Sequence, residues 1–333
     1  MPTEKSREYM TSRERVRAVL EGKRPDRLPF NFWMDRNLMA DLDKKLGPEF
    51  RINHYGADVH ECYFGIDWNC GLPAHIKSDH KTSWHIAPGL PDMEDMYKLC
   101  KFPAHIDPAI YHWLDEDRKR LPDISLFALA ITPLEGFFSL RMMENAMTDF
   151  FEYPDEVEYY MNEGGRLLTE SVKGLDGHGV DLLYLAGDIC SSNGAMLSEA
   201  MLRKYCFEPI KDAIIEAHKL GLKVFMHSDG NLKDVLPLYV EYGIDGCNPL
   251  QPHVNDARAF KTKYGGKLML YGGIDNCFAI PDNDPEGVRR HILDQYEILG
   301  KEGGFIFSSH DIPDYVDIKN IDMMVKTIKE IET

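Results

Sequence analysis

Apolar runs that alternate with amphipathic stretches dominate the chain from residue 126 onward. Each run is short, nearly continuous in apolar residues and closed by turn residues, at 126–132, 181–190, 222–230, 246–251, 267–275 and 304–311. Between and after these runs, apolar residues recur at helical spacing, at about 135–149, 154–177, 198–219, 231–242, 254–264, 285–301 and 317–331. Near-continuous apolar strands that are each followed by a helix are typical of a parallel sheet covered by helices.

The region before residue 126 brings the predicted strands to eight. A short apolar run near residues 28–33 follows an amphipathic helix at 12–22, and there is room for one more strand before residue 126. We therefore predict an α/β protein with a (β/α)8 TIM barrel as a single domain over residues 1–333, with an N-terminal helical extension. A doubly wound open sheet is the alternative, which is disfavoured because no G-x-G-x-x-G turn follows any strand.

Residues 54–120 have weak periodicity and are predicted to form an insertion or a lid. They contain a cluster of histidine, cysteine and tryptophan residues: His60, Cys62, Trp68, Cys70, His75, His80, Trp84 and His85. The spacing of these residues fits no tetrahedral zinc pattern. We expect most of them to line the lid or an antiparallel insertion, with contact to substrate as the alternative for some.

Composition narrows the class of protein. The net charge of −17 argues against a nucleic-acid partner, because such a surface cannot neutralise a phosphate backbone. No apolar run approaches the roughly 20 residues of a membrane span, and the N-terminal residues show no export signal. The seven cysteines are scattered and form no C-x-x-C pair, which indicates reduced thiols and a cytoplasmic location.

Polar and titratable residues follow the predicted strands, whereas the strand interiors are apolar. A barrel carries its chemistry at the C-terminal ends of its strands. In chain order these ends offer Trp33, Asp35 and Arg36, then Thr132 and Glu135, Asp188 and Cys190, His227 and Asp229, Asn248 and Gln251, Tyr271 and Asp275, and finally His310 and Asp311.

The stretch KVFMHSDG at 223–230 is the strongest candidate for chemistry. Alternation along a strand places His227 and Asp229 on one face, and His310 from a later strand completes a set of three ligands with an open position. Nitrogen and oxygen ligands suit Zn²⁺ but also Fe(II), Mn(II) or Ni(II), and Cys190 and Cys247 are alternative ligands. The competing interpretation is a hydrogen-bonded core histidine beside a turn at Asp229.

Several segments together resemble the uroporphyrinogen decarboxylase superfamily, which includes corrinoid-dependent methyltransferases. The resemblance is carried by SRERVRAVLEGKRPDRLPFNFW, AGDICSSNGAMLSEAMLRKYCFEPIKDAI, the HSDGN turn, YGIDGCNPLQP, YGGKLMLYGGID and FIFSSHDIPDYVDIKNIDMM. These segments cover most of the chain outside residues 50–120. The superfamily implies a TIM barrel, and its methyltransferase branch implies a metal, a corrinoid (cobalamin) co-substrate on a partner protein and, as one arrangement, a homodimer.

Two departures from the superfamily patterns shape the functional hypothesis. True decarboxylases resemble one another in an arginine-rich motif after the first strand, whereas FWMDRNLMADL offers only Arg36 for the many carboxylates of a porphyrinogen. Thiol-acting methyltransferases carry a His-x-Cys motif with a later Cys. In this chain, the three positions correspond to His227, Asp229 and His310 or its neighbourhood. These harder ligands favour a metal acting as a Lewis acid on oxygen or nitrogen over thiol activation.

We therefore expect a metal-dependent methyltransferase, with zinc as the expected metal, that moves a methyl group between a methyl ether, amine or thiol and a corrinoid. His227, Asp229 and His310 would hold the metal. Asp188, Glu135, Tyr271, Asp35 and Arg36 are the predicted catalytic residues, and Asn248, Gln251 and Asp275 are predicted to contact the cofactor. The alternatives are a metal-free decarboxylase or lyase that holds a smaller acid through Arg36, and a binding module without chemistry.

Overall fold

Eleven strands form in the computed structural model of the chain, which describes residues 9–78 and 83–331. They are β1 Val59–Tyr63, β2 His75–Ser78, β3 Ser83–Ala87, β4 Ser125–Ile131, β5 Leu182–Ala186, β6 Cys190–Ser191, β7 Gly194–Ala195, β8 Lys223–His227, β9 Gly246–Asn248, β10 Met269–Gly273 and β11 Phe305–Ser308. Seven of them pair in parallel in the order β1-β4-β5-β8-β9-β10-β11, and β2–β3 and β6–β7 are antiparallel hairpins.

Residues 29–34 close this sheet into a barrel by bridging its two edge strands. On one side, the Asn31 N–H donates to the Phe307 carbonyl at 2.9 Å and the Phe307 N–H donates to the Pro29 carbonyl at 3.0 Å. On the other side, the Asp58 N–H donates to the Phe30 carbonyl at 2.8 Å. The predicted TIM-barrel fold is confirmed: seven strands pair in parallel, and residues 29–34 occupy the eighth position through isolated bridges.

The helices alternate with the barrel strands, as the apolar periodicity predicts. The α-helices are α1 Ser12–Leu20, α2 Arg36–Leu46, α3 Phe50–Asn53, α4 Met96–Leu99, α5 His112–Arg120, α6 Pro133–Arg141, α7 Met143–Glu152, α8 Pro154–Lys173, α9 Glu199–Met201, α10 Glu208–Lys219, α11 Leu236–Glu241, α12 Ala257–Tyr264, α13 Pro285–Gln295 and α14 Ile318–Glu330. The single helix predicted at 135–149 is wrong: Met142, with φ of 65°, breaks it into α6 and α7. No helix in the described ranges is both long and apolar enough to cross a membrane.

Helix α1 closes the end of the barrel opposite to its mouth. Thr11 and Glu14 start this helix with a reciprocal capping box. The apolar stripe of α1, together with inward-facing strand residues, forms a separate core cluster: Val16, Val19, Leu20, Val59, Phe127, Leu182, Tyr184, Phe225, Tyr271 and Ile306. Because strand side chains alternate, the next inward-facing residues towards the C-terminal ends must line the floor of the mouth.

A buried ion network fixes the entry to β1 beside α1. The carboxylate of Asp58 is fully buried and accepts from Arg15 Nη1 at 2.7 Å and from Arg27 Nη1 at 2.7 Å. It also accepts the backbone N–H of Phe30 at 3.0 Å, and Arg15 bonds Asp26 as well. The network therefore ties α1, residues 29–34 and β1 together.

The predicted insertion at 54–120 is smaller than expected, because β1 belongs to the barrel. Its described remainder contains the β2–β3 hairpin and packs on the outside of the barrel. Trp68 lies directly against Gly136 of α6 and Gly164 of α8, where an added Cβ would come within 3 Å of the indole. Of the residues predicted to line a lid, His80 and the side chain of Trp84 lie outside the part of the chain that the structure describes.

Candidate metal and substrate site

His227 stands at the last position of β8, opposite Ala186 of β5 and Asn248 of β9. Its Nδ1 lies 2.7 Å from Asn248 Oδ1 and 3.1 Å from the Tyr184 hydroxyl. Asn248 Nδ2 donates to the Tyr271 carbonyl at 2.5 Å, and a carbonyl only accepts, so Oδ1 must face His227 and Tyr184. His227 therefore carries its hydrogen on Nδ1 and presents the lone pair of Nε2 to the mouth of the barrel.

The three predicted metal ligands converge at this mouth. One nitrogen each from His227 and His310 and one carboxylate oxygen of Asp229 all lie within 4.8 Å of one another. His310 Nδ1 is 3.4 Å from Asp229 Oδ2, and the two imidazole centroids are 5.0 Å apart. The other oxygen, Asp229 Oδ1, is buried without a hydrogen-bond partner.

These residues fit a divalent metal. A ligating histidine almost always donates its second ring N–H to a fixed acceptor, as His227 does to Asn248. A buried carboxylate oxygen without a partner is costly unless a cation or water completes it. Two imidazoles and one carboxylate leave an open position, the composition of a catalytic rather than a structural site. Cys190 and Cys247 are not part of this three-residue group.

Asp188 and Glu135 lie beside the three ligands. Asp188 Oδ1 is 3.6 Å from His227 Nε2 and accepts the backbone N–H of Asp229 at 2.8 Å. Glu135 Oε2 accepts the backbone N–H of Asp188 at 3.1 Å. Burial, together with the charge of Asp188, raises the pKa of Glu135. Asp188 therefore orients the Asp229 loop, and Glu135 is a partly buried carboxyl that supports Asp188.

A cavity of about 190 Å³ lies beside the three ligands and is smaller than most drug-sized pockets. Its walls come from the barrel strands and the loops that follow them: Trp33, Glu61, Leu129, Tyr184, Ala186, His227, Asn248, Ser308, Ser309, His310 and Asp311. No residue of the 64–120 region is among them, so the proposed lid has no described contact with this cavity. The volume restricts the occupant to a small molecule.

Glu61 is the principal residue that the sequence analysis missed. Its Oε2 accepts the indole N–H of Trp33 at 2.7 Å, and its Oε1 accepts the hydroxyl of Tyr271 and, at 3.4 Å, the amide of Asn31. Val59, Glu61 and Tyr63 alternate onto the inner face of β1, so the period of two is the signal that could have found it. Tyr271, a predicted catalytic residue, contacts Glu61, and its catalytic role stays a prediction.

Asp35 and Arg36 lie outside this cavity. The Asp35 carboxylate caps α2 by accepting the backbone N–H groups of Asn37 at 2.8 Å and Leu38 at 3.3 Å. Both residues line a second, outer cavity of about 470 Å³ that shares Trp33 and Asp311 with the inner one. Neither residue lines the inner cavity, so their predicted catalytic roles stay predictions.

Gln251 and Asp275 brace loops at the barrel mouth. Gln251 accepts the backbone N–H of Gly230 at 2.8 Å, which fixes the turn after Asp229. Asp275 Oδ1 accepts the backbone N–H of Cys277 at 3.0 Å and lies 3.5 Å from His253 Nδ1. A contact of either residue with a cofactor stays a prediction, as does a contact of Asn248, whose side chain holds His227 in place.

The barrel and the convergence of His227, Asp229 and His310 at its mouth define a (β/α)8 protein with the architecture of an enzyme. The family model for uroporphyrinogen decarboxylase (URO-D) matches residues 68–331, so the chain belongs to the uroporphyrinogen decarboxylase family. No curated protein matches the chain. These findings confirm the superfamily resemblance seen in the sequence.

A solved structure with the same fold is similar over nearly the whole chain. A methyltransferase from Methanosarcina mazei is similar over 96% of this chain and 99% of its own, with a TM-score of 0.73 and 15% sequence identity. A glycosylated endo-β-1,4-xylanase from Gloeophyllum trabeum matches over 71% of this chain and 85% of its own, with a TM-score of 0.45 and 11% identity. At these identities the likeness concerns the fold alone.

Proposed function

We propose that this protein is a methyltransferase that moves a methyl group between a small substrate and a corrinoid. The observation that carries the proposal is the set of His227, Asp229 and His310 beside a cavity of small-molecule size, with His227 locked in the tautomer that a metal requires. The methyltransferase from Methanosarcina mazei that shares the fold supports this branch of the family.

The proposed reaction replaces one bond of the methyl carbon by another. Transfer to a cobalt(I) corrinoid breaks the bond between the methyl carbon and a substrate heteroatom, whose electron pair stays on the heteroatom, and forms a carbon–cobalt bond with the electron pair of cobalt. The small cavity positions the substrate, and the three ligands fix the heteroatom end of it. A divalent metal held there, with zinc as the expected ion, would supply Lewis-acid stabilisation to the departing oxygen or nitrogen.

The corrinoid is proposed to arrive on a separate protein that docks at the barrel mouth. The inner cavity is too small for a tetrapyrrole-sized ring. The macrocycle would therefore lie over the barrel mouth, and only the methyl group of the bound substrate would face the cobalt. A homodimer in the cytoplasm remains part of the same proposal.

Decarboxylation of a porphyrinogen fits the cavity poorly. Among the described residues that line it there is no lysine or arginine to hold acetate and propionate groups. The metal-free lyase alternative depends on Arg36, which lines the outer cavity instead.

The experiment is a single-turnover assay with cob(I)alamin, in which the visible spectrum reports formation of methylcobalamin from a panel of methyl ethers, amines and thiols. Wild type should methylate cobalamin from at least one class, and Asp229→Asn should lose most of the rate because a charged ligand is removed. The exposed Asp41→Asn is the matched control. Lack of methyl transfer from the whole panel, with metal-loaded protein, would refute the proposal.

A further inference from the structure

The hydrogen bonds around Glu61 run in one direction and end on its carboxylate. Arg51, which only donates, bonds Asn31 Oδ1 at 2.9 Å. Asn31 Nδ2 must therefore face the Tyr271 hydroxyl, to which it donates at 2.7 Å. That hydroxyl is left to donate its own hydrogen to Glu61.

Glu61 is consequently an acceptor on both of its oxygens. Trp33 donates to Oε2 at 2.7 Å, while Tyr271 and Asn31 donate to Oε1. Three hydrogen-bond donors on its two oxygens form the environment that suits a carboxylate. The chain of hydrogen bonds from Arg51 fixes the Glu61 side chain in the cavity wall.

The charge of the site is not balanced by the chain itself. Four carboxylates surround the cavity and the three ligands: Glu61, Asp188, Asp229 and Asp311. Against them the described structure sets the buried guanidinium of Arg51, behind Trp33, and the metal that the three ligands fit. The described residues that line this cavity include two carboxylates, Glu61 and Asp311, and no lysine or arginine, so its lining is acidic.

Aromatic rings complete the wall. Trp33 and Tyr184 both line the cavity, and the guanidinium carbon of Arg51 already lies 3.8 Å from the centroid of the Trp33 ring system. A fixed carboxylate beside aromatic rings is the combination that binds alkylammonium groups, through charge attraction and cation–π contact. A neutral methyl ether or thiol would gain neither of these attractions.

We infer that Glu61, Trp33 and Tyr184 form a subsite for a small methylammonium cation, so that the substrate is a quaternary or protonated methylamine. This inference rests on the proposed function only in making the cation the methyl donor. A methylammonium nitrogen keeps the electron pair of the broken bond and departs as a neutral amine, so no acid has to protonate it. An ammonium nitrogen has no lone pair for a metal, so with this substrate the three ligands would hold a second polar group of the same molecule instead of the departing nitrogen.

Two probes of equal shape test the subsite without any turnover. Choline and 3,3-dimethylbutan-1-ol differ in one central atom, a charged nitrogen against a neutral carbon. By isothermal titration calorimetry on the metal-loaded protein, choline should bind at least ten-fold more tightly than its neutral isostere, and the difference should shrink at high salt. Equal binding, tighter binding of the alcohol, or no binding of choline would overturn the subsite.

Glu61→Gln should remove the preference for choline while the neutral isostere keeps its affinity. The exposed Glu199→Gln, whose partner Arg203 lies on the outer surface, should keep the full preference. The wild-type comparison stands even if Glu61→Gln folds poorly. Choline preference without methyl transfer from any member of the panel would refute the methyltransferase and leave the cation subsite. Methyl transfer from a methyl ether without a choline preference would refute the subsite and leave the methyltransferase.

Discussion

Replacement of Asn248 by alanine tests how the site holds its histidine. Three buried partners depend on this amide: the Nδ1–H of His227, the hydroxyl of Tyr184 and the carbonyl of Tyr271. Each stranded polar group costs about 1–3 kcal/mol, and water from the adjacent cavity relieves part of that cost. We expect Asn248→Ala to lose about 3 kcal/mol of unfolding free energy.

The same change should weaken metal binding by about 10–100-fold, because His227 loses the acceptor that fixes its tautomer and ring plane. Zinc affinity would be measured by competition with a chromophoric chelator under native conditions, and stability by urea unfolding. The two measurements separate a folding defect from a defect in the site.

Asn320→Ala is the matched control for this prediction. Asn320 is also a buried asparagine, and its Nδ2 donates to the carbonyls of Ile280 and Asn283, each at 2.8 Å, away from the cavity. Its loss should cost about 2 kcal/mol of stability by the same reasoning and leave zinc affinity unchanged. If both variants lose zinc affinity equally, or Asn248→Ala loses none, the positioning role assigned to Asn248 is refuted.

Two further predictions concern buried charges. Glu135→Gln should stabilise the fold at pH 7 relative to wild type. Burial and a neighbouring carboxylate raise the pKa of Glu135, so the wild-type fold loses stability as pH rises through that pKa. The difference in urea midpoint between variant and wild type should vanish below the usual carboxyl range. Asp58→Ala should cost about 3–5 kcal/mol in urea unfolding, because it leaves the buried Arg15 and the partly buried Arg27 without their shared carboxylate. The control is Asp41→Ala, which removes the exposed partner of Lys44. It should change the free energy of unfolding by no more than about 0.5 kcal/mol.

Each of these has a clear contrary result. A gain in stability for Glu135→Gln that is as large at acidic pH as at pH 7 would show that packing, rather than charge, is responsible. A loss for Asp58→Ala no greater than for Asp41→Ala would show that the Asp58 network is energetically neutral.

The barrel could be predicted from the sequence because its strands are buried on both faces. Runs such as β4 and β11 are continuous in apolar residues, and their lengths distinguish them from helices. A search for apolar runs does not find β1, because its sequence VHECY is mostly polar. His60 reaches Asp117 of α5 at 2.8 Å and Glu61 faces the mouth, so tertiary partners, rather than apolar burial, define this strand.

The site was partly predictable for a related reason. His227, Asp229 and His310 follow strands whose ends must meet at one mouth, so position in the pattern brought them together. Arg51 could not be found this way, because it acts from α3 through a chain of hydrogen bonds. The roles of Asp35 and Gln251 were also hidden, because capping and turn bracing use the same residue types as catalysis.

The most direct test of the account is the metal content of protein purified without chelator, by inductively coupled plasma mass spectrometry. Wild type and the control His218→Ala, whose imidazole pairs with Asp245 on the outer surface, should carry about one equivalent of a divalent metal that His227→Ala lacks. A wild type that binds no divalent metal even when zinc is supplied, or a His227→Ala variant that keeps the full content, would contradict the account.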